Sequence, residues 1–183
     1  MRTLFRFLLI WLFVIAATTV RASPGDAFFE KSLGDYAAEL KAARQQGKQG
    51  VLLVFEAEGC PFCHRMRETV LSRPEVQAFF HRHFTAYSVD ILGSVTVTDF
   101  SGSEVTEKAF ARALRIRATP TFLFVGVDGR EIARYTGATR DAAEFMALGR
   151  YVTEGHWQKT SFAEFYPDGR AVYRGSGKTK GNE

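Results

Sequence analysis

Cys60 and Cys63 are the only two cysteines in the 183-residue chain, so any sulfur chemistry happens at Cys60-Pro61-Phe62-Cys63. Two thiols three positions apart suit reversible disulfide exchange or half of a metal site. Structural zinc needs four ligands, usually a second CxxC or a close histidine pair. Of His64, His81, His83 and His156, only His81 and His83 lie close together, at the end of a helical pattern with nothing arranged around them. Soft sulfur also suits Cu(I), with His64 or Met66 as a further ligand, so a copper-binding thiol module stands as an alternative. A disulfide closing so short a loop constrains little of the unfolded chain, which argues against a mere structural staple. The pair reads as a redox centre that needs neither a metal nor an organic cofactor.

The neighbouring segments place these thiols. Val51 to Phe55 is an unbroken apolar run of strand length, as in a strand buried on both faces. A short turn follows, and Pro61 opens a helical pattern through Arg65 to Leu71. The thiols then sit at a helix N-terminus, where unpaired backbone N–H groups and the helix dipole favour the nucleophilic thiolate. Pro61 suits the first turn because its missing N–H would have no partner there. Glu56 and Glu58 follow the strand beside the cysteines. Glu56 is the candidate to take or give a proton during exchange; the plain alternative for both is a solvated carboxylate. His64 either adds positive charge that favours the thiolate or is an exposed helix residue.

Elsewhere, Phe29, Leu33, Tyr36, Ala37 and Leu40 recur at helical spacing, and Gly47 stops that pattern. Ser72-Arg73-Pro74-Glu75 reads as a capping box opening a helix that carries Val76, Phe79 and Phe80. Phe84 to Ile91 alternates as a strand. Gly93 to Ser103 is an irregular loop or short hairpin, and Glu104 to Leu114 is helical. Thr119-Pro120-Thr121 introduces a strand over Phe122 to Val127. A proline directly before a strand, downstream of a CxxC, predicts a cis bond that brings a backbone edge against the sulfurs. Asp128-Gly129 turns the chain into a strand over Glu131 to Thr136. Thr139 or Asp141 starts a helix burying Phe145, Leu148 and Val152. Phe162, Phe165 and Tyr166 form a short closing helix, Ala171 to Arg174 follow a turn, and Gly175 to Glu183 is expected to be disordered.

Hydrophobic content of 46% with 17 phenylalanines fits a packed body rather than a disordered chain. The formal charge of +4 owes much to Arg2, Arg6 and Arg21, in a leader that holds no acidic residue. The rest is close to neutral, so nucleic-acid binding has no electrostatic support. Residues 1–22 read as a cleavable signal peptide: Arg2 and Arg6 precede an apolar stretch from Phe7 to Ala17, and Val20-Arg21-Ala22 leaves small residues at a cleavage site. The alternative is an uncleaved anchor in the inner membrane, although the charge-free stretch falls short of the roughly 20 residues that span a bilayer. Export to the periplasm would permit a disulfide. Residues 23–154 are then the domain proper and 155–183 a C-terminal extension.

The order strand, CxxC, helix, strand, helix, Thr-Pro, strand, Asp-Gly turn, strand, helix resembles thioredoxin from about Ser32 to Val152. Phe55-Glu56-Ala57-Glu58-Gly59-Cys60, the insertion before Glu104 and Ser161-Phe162-Ala163-Glu164-Phe165 look like the exported SoxW-type thioredoxin-related proteins. The resemblance implies an α/β thioredoxin-like fold, a central mixed β-sheet flanked by helices. It also implies thiol–disulfide oxidoreductase activity outside the cytoplasm, on disulfide-containing exported proteins. Cys60 would attack and Cys63 would resolve the mixed disulfide. Pro120, in cis, would hold the partner's chain, the Thr119 backbone would pair with it, and Pro61 and Phe62 would complete the binding surface. Two family residues are replaced: the tryptophan before the first cysteine is Gly59, and the buried aspartate six positions before Cys60 is Val54. Glu56, on the same strand face as Val54, is the candidate substitute for the lost proton acceptor. Reduction of partners is favoured over oxidation or isomerisation, because an isomerase usually dimerises and no dimerisation domain is visible. A monomer fed by a membrane electron donor is therefore expected.

Overall fold

The computed structural model describes residues 24–167. The expected signal peptide over residues 1–22, the stretch Ala171 to Arg174 and the end expected to be disordered lie outside the described residues. A 3-10 turn, Pro24–Phe28, is followed by helix α1 (Tyr36–Gln45), strand β1 (Gly50–Glu56) and helix α2 (Pro61–Met66), which continues as a π-helical turn over Arg67–Leu71. Then come α3 (Pro74–His83), β2 (Phe84–Asp90), the short strands β3 (Thr96–Thr98) and β4 (Glu104–Thr106), α4 (Glu107–Ala113), β5 (Thr121–Gly126), β6 (Glu131–Thr136), α5 (Ala142–Thr153) and, after a 3-10 turn, α6 (Phe162–Phe165).

The main sheet has the order β2-β1-β5-β6. β1 runs parallel to β2 and antiparallel to β5, and β5 is antiparallel to β6. Every residue of β1 is buried because both sheet faces are covered. Strand side chains alternate between faces. Leu52 and Val54 therefore join Met66, Val76, Phe80, Phe145 and Leu148, while Val51, Leu53 and Phe55 join Tyr36, Leu40, Phe110 and Ala111. Phe80 and Phe145 stack with centroids 4.5 Å apart and lock α3 against α5. Each such fully buried ring contributes about 1.5–3 kcal/mol of transfer free energy.

Several local expectations are corrected. The helix expected from Phe29 starts only at Tyr36, with Asp35 capping the Ala38 N–H, because Gly34 takes φ +82° and breaks the turn before it. Leu33 consequently lies outside the core and is 96% exposed. The capping box expected at Ser72 is absent: Arg73 precedes α3 with no side-chain cap, and the Ser72 hydroxyl donates back to the Glu68 carbonyl. A capping box does form at Ser161 and Glu164 and starts α6. The helix expected from Glu104 starts at Glu107, because Glu104–Thr106 pairs as β4 with β3 in a hairpin, one of the two forms expected after Gly93. Among the described residues no helix is long and apolar enough to cross a membrane.

Candidate active site

β1 ends at Glu56, and the chain turns through Glu58 and Gly59 before α2. Gly59 sits at φ +73°, a conformation that penalises any residue with a Cβ, so a tryptophan there would be strained. The turn closes with the Cys60 N–H donating to the Ala57 carbonyl at 3.2 Å. Cys60 is the N-cap of α2 and Pro61 its first residue. The two cysteines are joined in a disulfide, with Cα atoms 5.3 Å apart. They differ in access: Cys60 is half-buried, whereas Cys63 is 4% exposed. An incoming disulfide can therefore reach Cys60 first.

Two donors point at the Cys60 sulfur. The Cys63 backbone N–H lies 3.2 Å away, and the Thr119 hydroxyl donates from 3.3 Å. Both would stabilise a thiolate once the bond is opened. The Thr119–Pro120 peptide is cis, Pro120 is buried, and β5 starts at the next residue. Pro61 is exposed and the Phe62 ring is 59% exposed beside the thiols. The structure thus brings Cys60, Cys63, Pro61, Phe62 and Thr119 to one end of the sheet.

A cleft of about 540 Å³ adjoins the disulfide, lined by Glu56, Glu58, Cys60, Cys63, Arg67 and Asp90 among others. Glu56 is 8% exposed. It is not solvated: Arg67 donates from Nε to both carboxylate oxygens at 3.1 Å, and from Nη2 to Oε2. The Ser88 hydroxyl donates to the same Oε2 at 2.8 Å. Arg67 also donates to Asp26 at 2.6 Å, and its guanidinium lies 4.3 Å from the centroid of the Phe29 ring. Burial works against its charge, but the bonds and charges of Glu56 and Asp26 outweigh that and raise its pKa. Glu58 is exposed at the rim.

Sequence reasoning missed Arg67, Ser88 and Asp26. Arg67 lies four residues after Cys63, one helical turn on, and that spacing was the available signal. Nothing local to Asp26 in the sequence points toward the thiols. His64 turns outward and pairs with Glu68 at 3.0 Å, with its side chain 72% exposed. Met66 is 1% exposed, and its sulfur accepts from the Thr139 hydroxyl at 3.5 Å. That leaves the copper reading without its soft third ligand. Among the described residues no three His, Cys, Asp or Glu side chains are grouped to hold a metal ion.

A redox-ready CxxC at the N-terminus of the helix after a central strand, against a Thr-Pro turn in a mixed four-stranded sheet, defines a thiol–disulfide oxidoreductase. The chain belongs to the thioredoxin-like domain family, whose model matches residues 36–153. Among solved structures it is similar to a thioredoxin from Thermus thermophilus at 32% identity, covering 67% of this chain and 88% of that one, with a TM-score of 0.51. A thioredoxin-fold protein from Helicobacter pylori shares 22% identity over 82% of this chain and 92% of its own, with a TM-score of 0.58. The oxidoreductase DsbH shares 17% identity over 69% and 85%, with a TM-score of 0.54. These last two likenesses are to the fold. No curated protein matches the chain by sequence.

Proposed function

We propose that this protein is a periplasmic dithiol reductase of the SoxW type, a monomer that is exported by its leader, recharged by a membrane electron donor, and active on disulfide-bonded exported proteins. In the reduced protein the Cys60 thiolate attacks one sulfur of the partner disulfide. A mixed disulfide forms and the partner's other sulfur leaves as a thiolate that takes up a proton. Cys63 then loses its proton, with Glu56 as acceptor, and its sulfur attacks Cys60. The second partner thiol departs, leaving the Cys60–Cys63 disulfide and a partner reduced by two electrons. Pro61, Phe62, Thr119 and Pro120 form the rim on which the partner's chain rests.

The observation that carries the direction is the charge around the half-buried Cys60. Glu56, Glu58 and Asp90 line its cleft against the single guanidinium of Arg67, with His64 turned to Glu68. Carboxylates disfavour the thiolate, and a reduced form whose thiolate is not strongly favoured gives up its electrons more readily. Strong oxidants instead stabilise the reduced form. Equilibrating the Cys60–Cys63 pair against a glutathione redox series, read by thiol alkylation, tests this. A potential near roughly −270 mV supports reductase, and one near roughly −120 mV assigns disulfide installation instead.

A further inference from the structure

Arg67 is the most heavily engaged side chain near the thiols. It opens the π-helical turn that follows α2, and such turns inside helices often mark functional positions. Its guanidinium faces the end of β1, where Glu56 stands, and the end of the parallel neighbour β2, where Ser88 stands. Behind it, the arm before α1 supplies Asp26 and the Phe29 ring. The arm is held there independently. Gln77 donates to the Pro24 carbonyl at 3.0 Å, His81 Nε2 lies 3.0 Å from the Phe28 carbonyl, and Gly25 passes against the Arg67 backbone.

The bonding leaves the two oxygens of Glu56 unequal. Oε2 accepts from Arg67 Nε, Arg67 Nη2 and the Ser88 hydroxyl, whereas among the described residues Oε1 accepts only from the shared Nε. One oxygen is tethered and the other retains open lone pairs in the cleft that Cys63 also lines. We propose that Arg67 is a positioning residue for disulfide exchange: it holds the Glu56 carboxylate oriented, with Oε1 left to receive the Cys63 proton as the mixed disulfide resolves. The inference rests on the reading of Glu56 as proton acceptor. The remaining titratable groups around the carboxylate are Asp26 across the guanidinium, Asp90 opposite Glu56 on β2, and Glu58 and the thiols along the cleft, with His64 on its rim turned out to Glu68.

The resolving step can be isolated. Reduced protein reacting once with Ellman's reagent releases one coloured thiolate as Cys60 is captured, and a second as Cys63 closes the disulfide. The first-order rate of that second release, followed against pH, reports loss of the Cys63 proton. The wild-type profile should show an acidic limb set by Glu56 that is absent in Glu56→Gln. In Arg67→Gln the plateau rate of the second release should fall several-fold toward that of Glu56→Gln, because the fork that aims the carboxylate is gone. Arg67→Lys, which keeps the charge without the fork, should fall between the two. Glu56→Gln/Arg67→Gln should be no slower than Glu56→Gln alone, since Arg67 acts through Glu56. An acidic limb that survives Glu56→Gln removes the proton-acceptor reading. A limb lost in Glu56→Gln with the plateau rate unchanged in both Arg67 variants leaves that reading standing and overturns the role of Arg67.

Discussion

At the scale of the residue, the two cysteines are chemically alike and made different by burial. Cys60 meets solvent at the mouth of the cleft, while Cys63 is packed beneath it, bonded to the first sulfur through its own and donating its backbone N–H to it. That asymmetry assigns attack to one and resolution to the other. Cys63→Ser should therefore accumulate a covalent adduct with a disulfide substrate, visible on a non-reducing gel and released by excess thiol. Cys60→Ser should give no adduct, and turnover should fall to background in both. Adduct formation by Cys60→Ser would reverse the assignment. The site was legible in the sequence where chemistry is carried by residue type and spacing, as at Cys60, Cys63, Thr119 and Pro120. It was illegible where a residue matters because of what folds against it. Nothing in the run Arg65-Met66-Arg67 says which arginine turns inward. In the structure Arg65 reaches the Thr139 and Arg140 carbonyls while Arg67 holds Glu56.

At the scale of the element, the strands were read more reliably than the helix starts. β1 and β5 announce themselves by unbroken apolar runs, because a strand buried on both faces has no polar positions to spare. Helix starts depend on single backbone angles and caps. The pattern from Phe29 to Leu40 kept helical spacing across Gly34, and only the turn at that glycine separates the arm from α1. The misread arm matters because it packs on the active-site helix. A Cβ at Gly25 would collide with the Arg67 backbone. That backbone belongs to a hydrogen-bonded helical turn anchored by buried Val70 and Leu71 and cannot swing aside as a side-chain tip would. Gly25→Ala should cost about 1–3 kcal/mol, as overpacking does. Chemical denaturation should show the loss as a lower midpoint with little change in slope. An unchanged midpoint would mean the arm is not seated on Arg67 in solution.

At the scale of the whole molecule, helices are tied to both faces of the sheet through phenols that meet carboxylates. On one face Tyr87 of β2 donates to Glu39 of α1, and Tyr36 stacks on Phe110 with centroids 4.8 Å apart. On the other, Tyr135 of β6 donates to Glu144 of α5 at 3.5 Å. Burial pushes all three phenols up, reinforced by Glu107 and Glu39 at Tyr36, by Glu39 at Tyr87 and by Glu144 at Tyr135: Tyr36 and Tyr87 well beyond the ordinary tyrosine range, and Tyr135 to about 12. The folded protein thus keeps phenol protons that the unfolded chain, with tyrosines near about 10, gives up. Stability from this source is fully present below pH about 10 and is lost as pH rises toward the folded values. The physical reason is that an ionised phenol would place a second negative charge beside Glu39 or Glu144 in a poorly solvated layer. The thermal midpoint should hold through neutral pH and fall steeply above about 10, and in a variant whose other tyrosines, Tyr151, Tyr166 and Tyr173, are replaced by Phe, phenolate absorbance should appear together with unfolding rather than ahead of it. Phenolate appearing near pH 10 in a chain that is still folded would show these contacts to be open to solvent. The helices would then rest on the sheet through their apolar faces alone.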